Sequence, residues 1–364
     1  MAEKYIAILG RQAEISVAEL KALFLDVRKI NEKVAEFKSL EEVNIDRLGG
    51  SLKVGIKLKK TPLEFLKDLP EGKITLGVSD YSKRATKKTA TIEALKLKKI
   101  LGRHGRSVRV VENREAVLST ATSLHNGLAG KNPKKVELVK VENEWFKIIG
   151  VQDIEAYAKR DQARPARDAK VGMLPPKLAQ ILINLCGPLK AETRILDPFC
   201  GTGVVLQEAR LMGYEVYGTD INERMIEYTR KNLEWLGEGD FRVEVGDATS
   251  FKWEEPIGAV ACEGYLGRPM SNVPAEIKLK TEKQECSAII LGFLRNLAEQ
   301  VKAGVPVVIA MPAWLDKNGE YSRLEILDEI EKMGYNVENK SREGLLYHRE
   351  GQVVARDIII LRKE

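Results

Sequence analysis

A glycine-rich turn between an apolar run and a helical segment constrains the fold of this chain most strongly. Residues 195–203 read Ile-Leu-Asp-Pro-Phe-Cys-Gly-Thr-Gly, and residues 204–211 read as a helix. Gly201 and Gly203 lack a Cβ, so they permit positive φ angles and a close approach of the backbone to a ligand. A strand, a glycine turn and a helix in this order are typical of nucleotide sites in open α/β sheets. The turn is not the dinucleotide fingerprint, because the third spaced glycine is absent.

The second half of the chain alternates predicted strands and helices around this turn, which indicates a doubly wound α/β sheet. A helix is expected to start near Pro175, since proline is tolerated in a first turn. The pattern predicts further helices over 204–211, 223–236, 281–301 and 322–333. It predicts strands over 194–196, 215–219, 242–244, 258–261, 305–311, 343–348 and 353–361. The last two strands read as an antiparallel hairpin, so a mostly parallel, seven-stranded sheet is expected.

Three aspartates follow successive predicted strands of this sheet. Asp197 ends the first, Asp220 ends the second and Asp247 follows the third. The carboxyl ends of parallel strands line one crevice, so these side chains are expected to meet there. Each acid by itself also has the ordinary interpretation of a helix N-cap. All three in order after a glycine turn favour a nucleotide-like cofactor site.

The fourth strand end carries residue types suited to chemistry on an amino group. Glu263 and Tyr265 follow the apolar run 258–262. A carboxylate can accept the hydrogens of an aromatic amino group and polarise it, and an aromatic face can hold a nucleobase in plane. The alternative is a structural turn, with Glu263 as a cap and Tyr265 as a packing residue.

Positive charge is concentrated in the first half of the chain. Residues 1–160 hold 32 Lys and Arg against 21 Asp and Glu, whereas the remainder holds 27 against 32. This asymmetry favours a polyanion-binding module next to a separate working domain, although a lysine- and glutamate-rich surface of the thermophile kind is the alternative. The most basic window is 81–114, with eleven Lys and Arg against two acids. Candidate phosphate contacts within it are Lys83, Arg84, Lys87, Lys88, Arg103 and Arg106.

The first half also reads as alternating strands and helices. A strand is expected over 3–9 and a helix over 16–25, with Ser16 as its N-cap and Glu19 completing a capping box. An amphipathic helix is expected over 89–101, with Ile92, Leu95, Leu97 and Ile100 on its apolar side. Further strands are expected over 53–58, 73–78 and 107–111, and a hairpin over 136–141 and 144–151. The polar, proline-containing stretch 152–170 reads as a linker.

Composition excludes several classes of protein. The four cysteines show no Cys-x-x-Cys spacing and the chain has only three histidines, so neither a zinc site nor a disulfide framework is expected. No apolar window approaches the roughly 20 residues needed to span a bilayer. A reducing cytoplasm is the expected compartment, with no membrane or metal partner.

With these motifs in view, the chain resembles the archaeal and eukaryotic tRNA guanosine-10 N2-methyltransferases. Residues 195–203 resemble motif I of S-adenosylmethionine-dependent methyltransferases, in the Asp-Pro-Phe form found in enzymes that methylate exocyclic amino nitrogens. Further similarity lies in 151–161, in Arg164 and Pro165, in 172–179, in 217–221 and in 246–249.

The resemblance implies a THUMP-like α/β RNA-binding region over 1–151, a linker over 152–170 and a Rossmann-like class I methyltransferase domain over 171–364. It implies S-adenosylmethionine as cofactor and tRNA, or another structured RNA, as partner. It assigns cofactor binding to Pro175, Asp197, Phe199, Gly201, Thr202, Gly203, Asp220, Ile221, Asp247 and Ala248. The residues expected to be catalytic are Glu263 and Tyr265.

The chain departs from this family at motif IV. The family carries Asp-Pro-Pro-Tyr-Gly, and residues 263–267 read Glu-Gly-Tyr-Leu-Gly. The prolines that stiffen the loop are missing, and the aromatic residue is one position early. Two alternatives therefore stand beside guanine N2 methylation. One is an RNA-binding protein with a degenerate transfer site, and the other is a methyltransferase acting on DNA or protein.

Overall fold

The computed structural model describes residues 2–130, 132–168, 174–254, 256–341 and 343–364. The chain divides into two compact units, Met1–Ala156 and Tyr157–Glu364. Among the described helices, none combines the length and the apolar character needed to cross a bilayer. Two expectations touch residues outside the described ranges: the boundary between the linker and the domain at 170 and 171, and the motif residues Gly172 and Met173.

The first unit is built on one mixed sheet of eight strands with four helices among its described residues. The strand order is β2-β3-β1-β4-β8-β7-β5-β6, with parallel pairing of β5 to both β6 and β7. The elements are β1 Glu3–Leu9, α1 Ala13–Leu23, β2 Leu25–Asn31, β3 Val34–Ser39, β4 Ser51–Lys57, α2 Pro62–Lys67, β5 Ile74–Asp80, α3 Lys87–Arg103, β6 Val108–Val110, α4 Thr120–His125, β7 Lys135–Val141 and β8 Glu144–Val151. The predicted hairpin is present as the antiparallel pair β7 and β8.

The predicted N-cap at Ser16 is wrong. Helix α1 begins at Ala13, and Ser16 is buried within it, where its hydroxyl donates to the Gln12 carbonyl oxygen at 3.1 Å. Glu19 is also buried, and its carboxylate accepts from the backbone N–H groups of Gly49 and Gly50 at 2.9 and 2.8 Å. The residues that look like a capping box therefore hold a neighbouring loop instead.

The apolar face of the basic helix α3 differs from the prediction. Its buried residues are Ala90, Ala94, Leu97 and Leu101, at the spacing of one helix face. Of the four predicted, only Leu97 belongs to that buried face, and both Ile92 and Leu95 are about half exposed. The small alanines allow this helix to lie close against the sheet beside Leu97 and Leu101, whereas Ile92 and Leu95 face away from it.

The second unit contains a nine-stranded sheet whose main path reads β11-β10-β9-β12-β13-β17-β15, with β14 and β16 attached at its side. The pairs among β9 to β13 are parallel, whereas β17 runs antiparallel between β13 and β15. The elements are α5 Ile154–Gln162, α6 Pro176–Leu185, β9 Arg194–Asp197, α7 Val204–Leu211, β10 Glu215–Asp220, α8 Glu223–Leu236, β11 Arg242–Val245, β12 Ala259–Glu263, α9 Glu276–Ala298, β13 Pro306–Leu315, β14 Tyr321–Arg323, α10 Leu327–Lys332, β15 Tyr335–Val337, β16 Leu346–Tyr347 and β17 Val354–Lys363.

The mostly parallel seven-stranded path confirms the Rossmann-like fold, and the predicted C-terminal hairpin is present as the antiparallel pair β16 and β17. Strand β16 has only two residues, and β15, which the sequence pattern did not indicate, forms the edge of the path. The predicted helix over 322–333 is instead strand β14 followed by the short helix α10. The predicted linker over 152–170 contains helix α5.

Candidate functional site

A cavity of about 810 Å³ lies at the carboxyl ends of β9, β10 and β12. The strand order reverses between β9 and β12, which is where open α/β sheets bind their ligands. Eight of the ten predicted cofactor residues line it, together with both predicted catalytic residues: Asp197, Phe199, Gly201, Thr202, Asp220, Ile221, Asp247, Ala248, Glu263 and Tyr265. Gly203 lies in the turn behind this lining, at the start of α7. Pro175 lines a neighbouring cavity, and Leu174 takes its place in this one.

Positive φ angles shape the turn between β9 and α7. Gly201 has φ 51° and Gly203 has φ 81°, and both angles favour glycine over residues with a Cβ. A Cβ on Gly203 would lie 2.8 Å from Thr229 Cγ2. The Gly201 N–H donates to Asp220 Oδ2 at 2.9 Å, so the end of β10 supports the turn that follows β9.

Two polar side chains of α8 fix the same turn. The Thr229 hydroxyl donates to the Gly201 carbonyl oxygen at 2.8 Å, and Asn232 Nδ2 donates to the Thr202 carbonyl oxygen at 2.8 Å. Both side chains are fully buried. Their spacing along α8 provides a signal that sequence analysis missed, because it places two polar groups on the face that also buries Met225 and Leu233.

The cavity lining is strongly acidic. Six carboxylates line it against one arginine, Arg268. Burial raises the pKa of Asp197 well above its usual range, and the charges of Asp220 and Glu263 add to the shift. Burial likewise raises the pKa of Asp220, against the opposing effect of backbone N–H donors. A cavity with this charge disfavours anions and suits a cationic ligand.

Glu263 at the end of β12 is paired with an arginine of β17. Arg356 Nε donates to Glu263 Oε1 at 2.6 Å, and the two side chains are 6% and 17% exposed. Burial raises the pKa of Glu263, and Arg356 opposes that shift through its charge and its hydrogen bond. Sequence analysis missed Arg356, although a charged pair within the apolar segment 353–361 is an unusual pattern.

The rest of the loop after β12 is held by α9. The Tyr265 hydroxyl donates to Glu285 Oε1 at 3.2 Å, and the Arg268 N–H donates to Glu282 Oε2 at 3.2 Å. Burial raises the pKa of Tyr265 to about 12, so its hydroxyl stays protonated. Hydrogen bonds to a neighbouring helix thus order a loop that lacks the stiffening prolines.

The six predicted phosphate-binding residues of the first unit are not gathered at one place. Lys83, Arg84, Lys87 and Lys88 are exposed at the N-terminal end of α3. Arg103 is exposed at the other end, roughly 24 Å away for a helix of this length. The Arg106 guanidinium donates to the carbonyl oxygens of Leu69 and Pro70, at 3.0 and 2.8 Å. These hydrogen bonds hold the backbone after α2. The four residues at the first end form the denser cluster.

All four cysteines are buried and free. Within the described part of the chain, no group of three or more His, Cys, Asp or Glu side chains is arranged to hold a metal ion.

Comparison with known proteins identifies a methyltransferase domain in the second unit. Residues 164–290 match the family described as UPF0020: RMKL-like, methyltransferase domain, and this range contains the glycine turn and the loop after β12. A tRNA (guanine(10)-N2)-dimethyltransferase from Pyrococcus abyssi is 33% identical over 263 residues, which cover 68% of this chain and 72% of that protein. The chain therefore belongs to the tRNA (guanine(10)-N2)-dimethyltransferase family.

A second relative of that name, from Methanothermobacter thermautotrophicus, is 37% identical over 158 residues. The alignment covers 43% of this chain and 44% of the relative, which is less than half of either protein. Among solved structures, the crystal structure of TrmN from Thermus thermophilus aligns with 99% of this chain and all of that one, at 19% identity. Its TM-score of 0.45 is too low to carry a conclusion.

Proposed function

We propose that this protein is an S-adenosylmethionine-dependent tRNA methyltransferase that acts on the exocyclic N2 amino group of a guanosine. One observation carries the proposal. In a chain of this family, Asp197, Asp220, Asp247 and Glu263 line one cavity at the switch point of the sheet. The family relatives, named for guanine 10 and for dimethylation, support that position and the transfer of two methyl groups.

The cavity suits S-adenosylmethionine in size, charge and shape. A volume of about 810 Å³ lies within the range of small-molecule sites. The acidic lining suits a ligand with a positive sulfur and an ammonium group. The absence of a Cβ at Gly203 shapes the turn under the cavity, because a Cβ there would lie 2.8 Å from Thr229 Cγ2 of α8.

We assign the strand-end residues to separate parts of the cofactor. Asp220 would accept from the ribose hydroxyls, Asp247 would hold the adenine amino group and Asp197 would face the cationic amino-acid end. Ile221 is apolar yet 72% exposed, which fits a residue that packs on a bound adenine. Asp247 Oδ1 already accepts from the N–H and hydroxyl of Thr249 at 2.9 and 2.7 Å, so its carboxylate is held in place.

The loop after β12 prepares the acceptor. The amino nitrogen of guanine is a weak nucleophile, because its lone pair is delocalised into the ring. When bound, S-adenosylmethionine would supply an electrophilic methyl group, and its sulfur would keep the electron pair of the broken S–C bond as S-adenosylhomocysteine. The Glu263 carboxylate accepts a hydrogen bond from the amino group and takes its proton as the new N–C bond forms. Tyr265 offers a flat face on which the base stacks, and Glu285 holds its hydroxyl.

We assign RNA binding to the first unit, as a THUMP-like region over 1–151. Residues 152–170 connect it to a methyltransferase domain over 171–364. The exposed cluster Lys83, Arg84, Lys87 and Lys88 supports this role, because phosphate contacts supply most of the non-specific affinity for nucleic acids. Competition between tRNA and duplex DNA at equal salt measures whether the preference is for RNA.

Methyl transfer tests the proposal directly. The protein is incubated with tritiated S-adenosylmethionine and an unmodified tRNA transcript, and the digested product is separated into nucleosides. The expected label is in N2-methylguanosine and N2,N2-dimethylguanosine. Absence of label from any RNA, in a protein that binds S-adenosylmethionine, would refute the proposal and leave an RNA-binding protein with a degenerate transfer site.

Glu263→Ala tests the assigned proton acceptor. Loss of a positioned general base is expected to lower kcat by about a hundredfold or more, while tRNA affinity stays within about twofold. Glu338→Ala is the matched control, because Glu338 also pairs with an arginine of β17, at 2.7 Å from Arg362, yet does not line the cavity. Equal activity of the two variants would remove Glu263 from the mechanism.

A further inference from the structure

A second cavity in the same unit, of about 420 Å³, is lined mainly by polar and basic side chains. It lies among the end of α5, the segment that follows α5, and the loop between β16 and β17. Three arginines line it, Arg167, Arg349 and Arg356, with Tyr347 beside them and Asp161 as the acidic residue. Among the described lining residues the balance of charge is positive, opposite to that of the first cavity.

One ion pair links the two cavities. Glu263 lines the first and Arg356 lines the second, and Arg356 Nε donates to Glu263 Oε1 at 2.6 Å. A guanidinium has five N–H donors in a planar fork. To the described residues, the Arg356 guanidinium makes this one hydrogen bond, so it has N–H donors left for an anion in the second cavity. Arg356 is 5% exposed, and packing therefore fixes its position.

Hydrogen bonds to backbone groups order the other walls of the second cavity. The Arg349 N–H donates to Gln352 Oε1 at 3.0 Å, and the Gln352 N–H donates to the Arg349 carbonyl oxygen at 3.0 Å. The Tyr321 hydroxyl donates to the Gln352 carbonyl oxygen at 2.7 Å, which ties this turn to β14. Arg167 Nη1 donates to the Gln162 carbonyl oxygen at 3.1 Å. In the described part of the chain, the Arg349 side chain has no acidic partner within ion-pair distance.

We propose that the second cavity binds a backbone phosphate of the RNA, next to the nucleotide whose base enters the first cavity. The proposal rests on the proposed function. A phosphodiester offers the oxygens that arginine forks bind best, and Arg356 then contacts Glu263 and the phosphate together. The acceptor base then reaches Glu263 in the first cavity, while the arginines of the second cavity hold the phosphate of the same RNA strand. The cavity thus gives the methyltransferase domain a phosphate contact of its own, apart from the basic first unit.

The double variant Arg167→Gln with Arg349→Gln tests this in the full chain, and it leaves Arg356 and Glu263 intact. Fluorescence anisotropy with an unmodified tRNA transcript, over a range of KCl concentrations, is expected to show roughly tenfold weaker binding. The slope of log Kd against log salt is expected to fall by about 0.7 to 0.9 for the phosphate lost. Arg230→Gln, an exposed arginine of α8 that lines neither cavity, is the control and is expected to bind as wild type does.

A neutral phosphate gives the sharper readout. Synthetic RNA with a methylphosphonate beside the methylated guanosine is expected to bind wild type and Arg230→Gln more weakly, but to bind the double variant no differently from unmodified RNA. Wild-type affinity and salt slope in the double variant would overturn the proposal. So would a matching loss of S-adenosylmethionine affinity by calorimetry, since the arginines would then serve the cofactor carboxylate.

The binding measurements need no turnover, so the phosphate site and the proposed methyl transfer can be refuted independently of each other. Methyl transfer to guanosine together with unchanged binding by the double variant refutes the phosphate site alone. Weaker binding by the double variant in a protein that labels no RNA refutes the proposed reaction and supports the phosphate site.

Discussion

Arg356→Gln is expected to move the pH dependence of methyl transfer toward alkaline pH. The substitution removes the positive charge 2.6 Å from Glu263 Oε1, in a pair whose side chains are 6% and 17% exposed. A hydrogen bond to a charged group contributes about 1.5 to 3 kcal/mol, and one pKa unit corresponds to about 1.4 kcal/mol. The pKa of Glu263, which burial already raises, is therefore expected to rise by a further 1 to 2 units or so.

The measured quantity is kcat/KM for tritiated methyl transfer to tRNA across the acid and neutral range. In the proposed mechanism only the ionised Glu263 carboxylate accepts the proton of the amino group, so the acid limb of the profile is expected to move up by about 1 to 2 pH units. Arg362→Gln removes an Arg–Glu pair of 2.7 Å from the same strand, but the pair is 40% and 36% exposed and outside the cavity. It is expected to leave the profile in place. An unmoved acid limb in a folded Arg356→Gln protein that binds S-adenosylmethionine would refute the reasoning.

Three further predictions concern stability, the glycine turn and RNA binding. Lys53→Met leaves the Glu137 carboxylate buried without its cation, which lay 2.8 Å away, and is expected to lower the free energy of unfolding in urea by about 3 to 5 kcal/mol. A free energy of unfolding within about 1 kcal/mol of the wild-type value would contradict it. Gly203→Ala, where a Cβ would lie 2.8 Å from a buried side-chain carbon, should weaken S-adenosylmethionine binding by at least roughly tenfold in calorimetry. Gly213→Ala has a similar φ, and among the described residues no atom beyond its chain neighbours lies within 4 Å of the added Cβ, so it controls for backbone strain. Lys88→Gln should lower the salt slope of tRNA binding by about 0.7 to 0.9, and an unchanged slope would exclude a phosphate contact there.

Local patterns predicted much of the second unit. Helices α7 and α8 begin and end at the predicted residues, because apolar periodicity and a following glycine or turn define them locally. The three aspartates lie at one cavity because parallel strands present their carboxyl ends at one edge. The same reasoning failed at Ser16, whose local capping pattern competes with burial. There Glu19 binds the backbone of Gly49 and Gly50, and a window of neighbouring residues does not reveal such a partner.

Pairings between distant residues were outside the reach of sequence analysis. Arg356 and Glu263 are 93 residues apart, and Lys53 and Glu137 are 84 apart. Each pair depends on strand register, since a shift of one residue would turn its side chain to the opposite face of the sheet. The insertion of β17 between β13 and β15 decides which arginine meets Glu263, and no local pattern records that order.

The sequence by itself determined the class of site. A glycine turn and strand-end acids suffice for that, because they act through backbone conformation and the two-residue period of strands. The tertiary structure alone decided how the divergent loop after β12 is held. Arg356 of β17 binds Glu263, and Glu285 of α9 holds Tyr265 where the family has prolines. The physical reason is that prolines restrict a loop through its own covalent geometry, whereas an ion pair restricts it through a partner that only the folded sheet brings near.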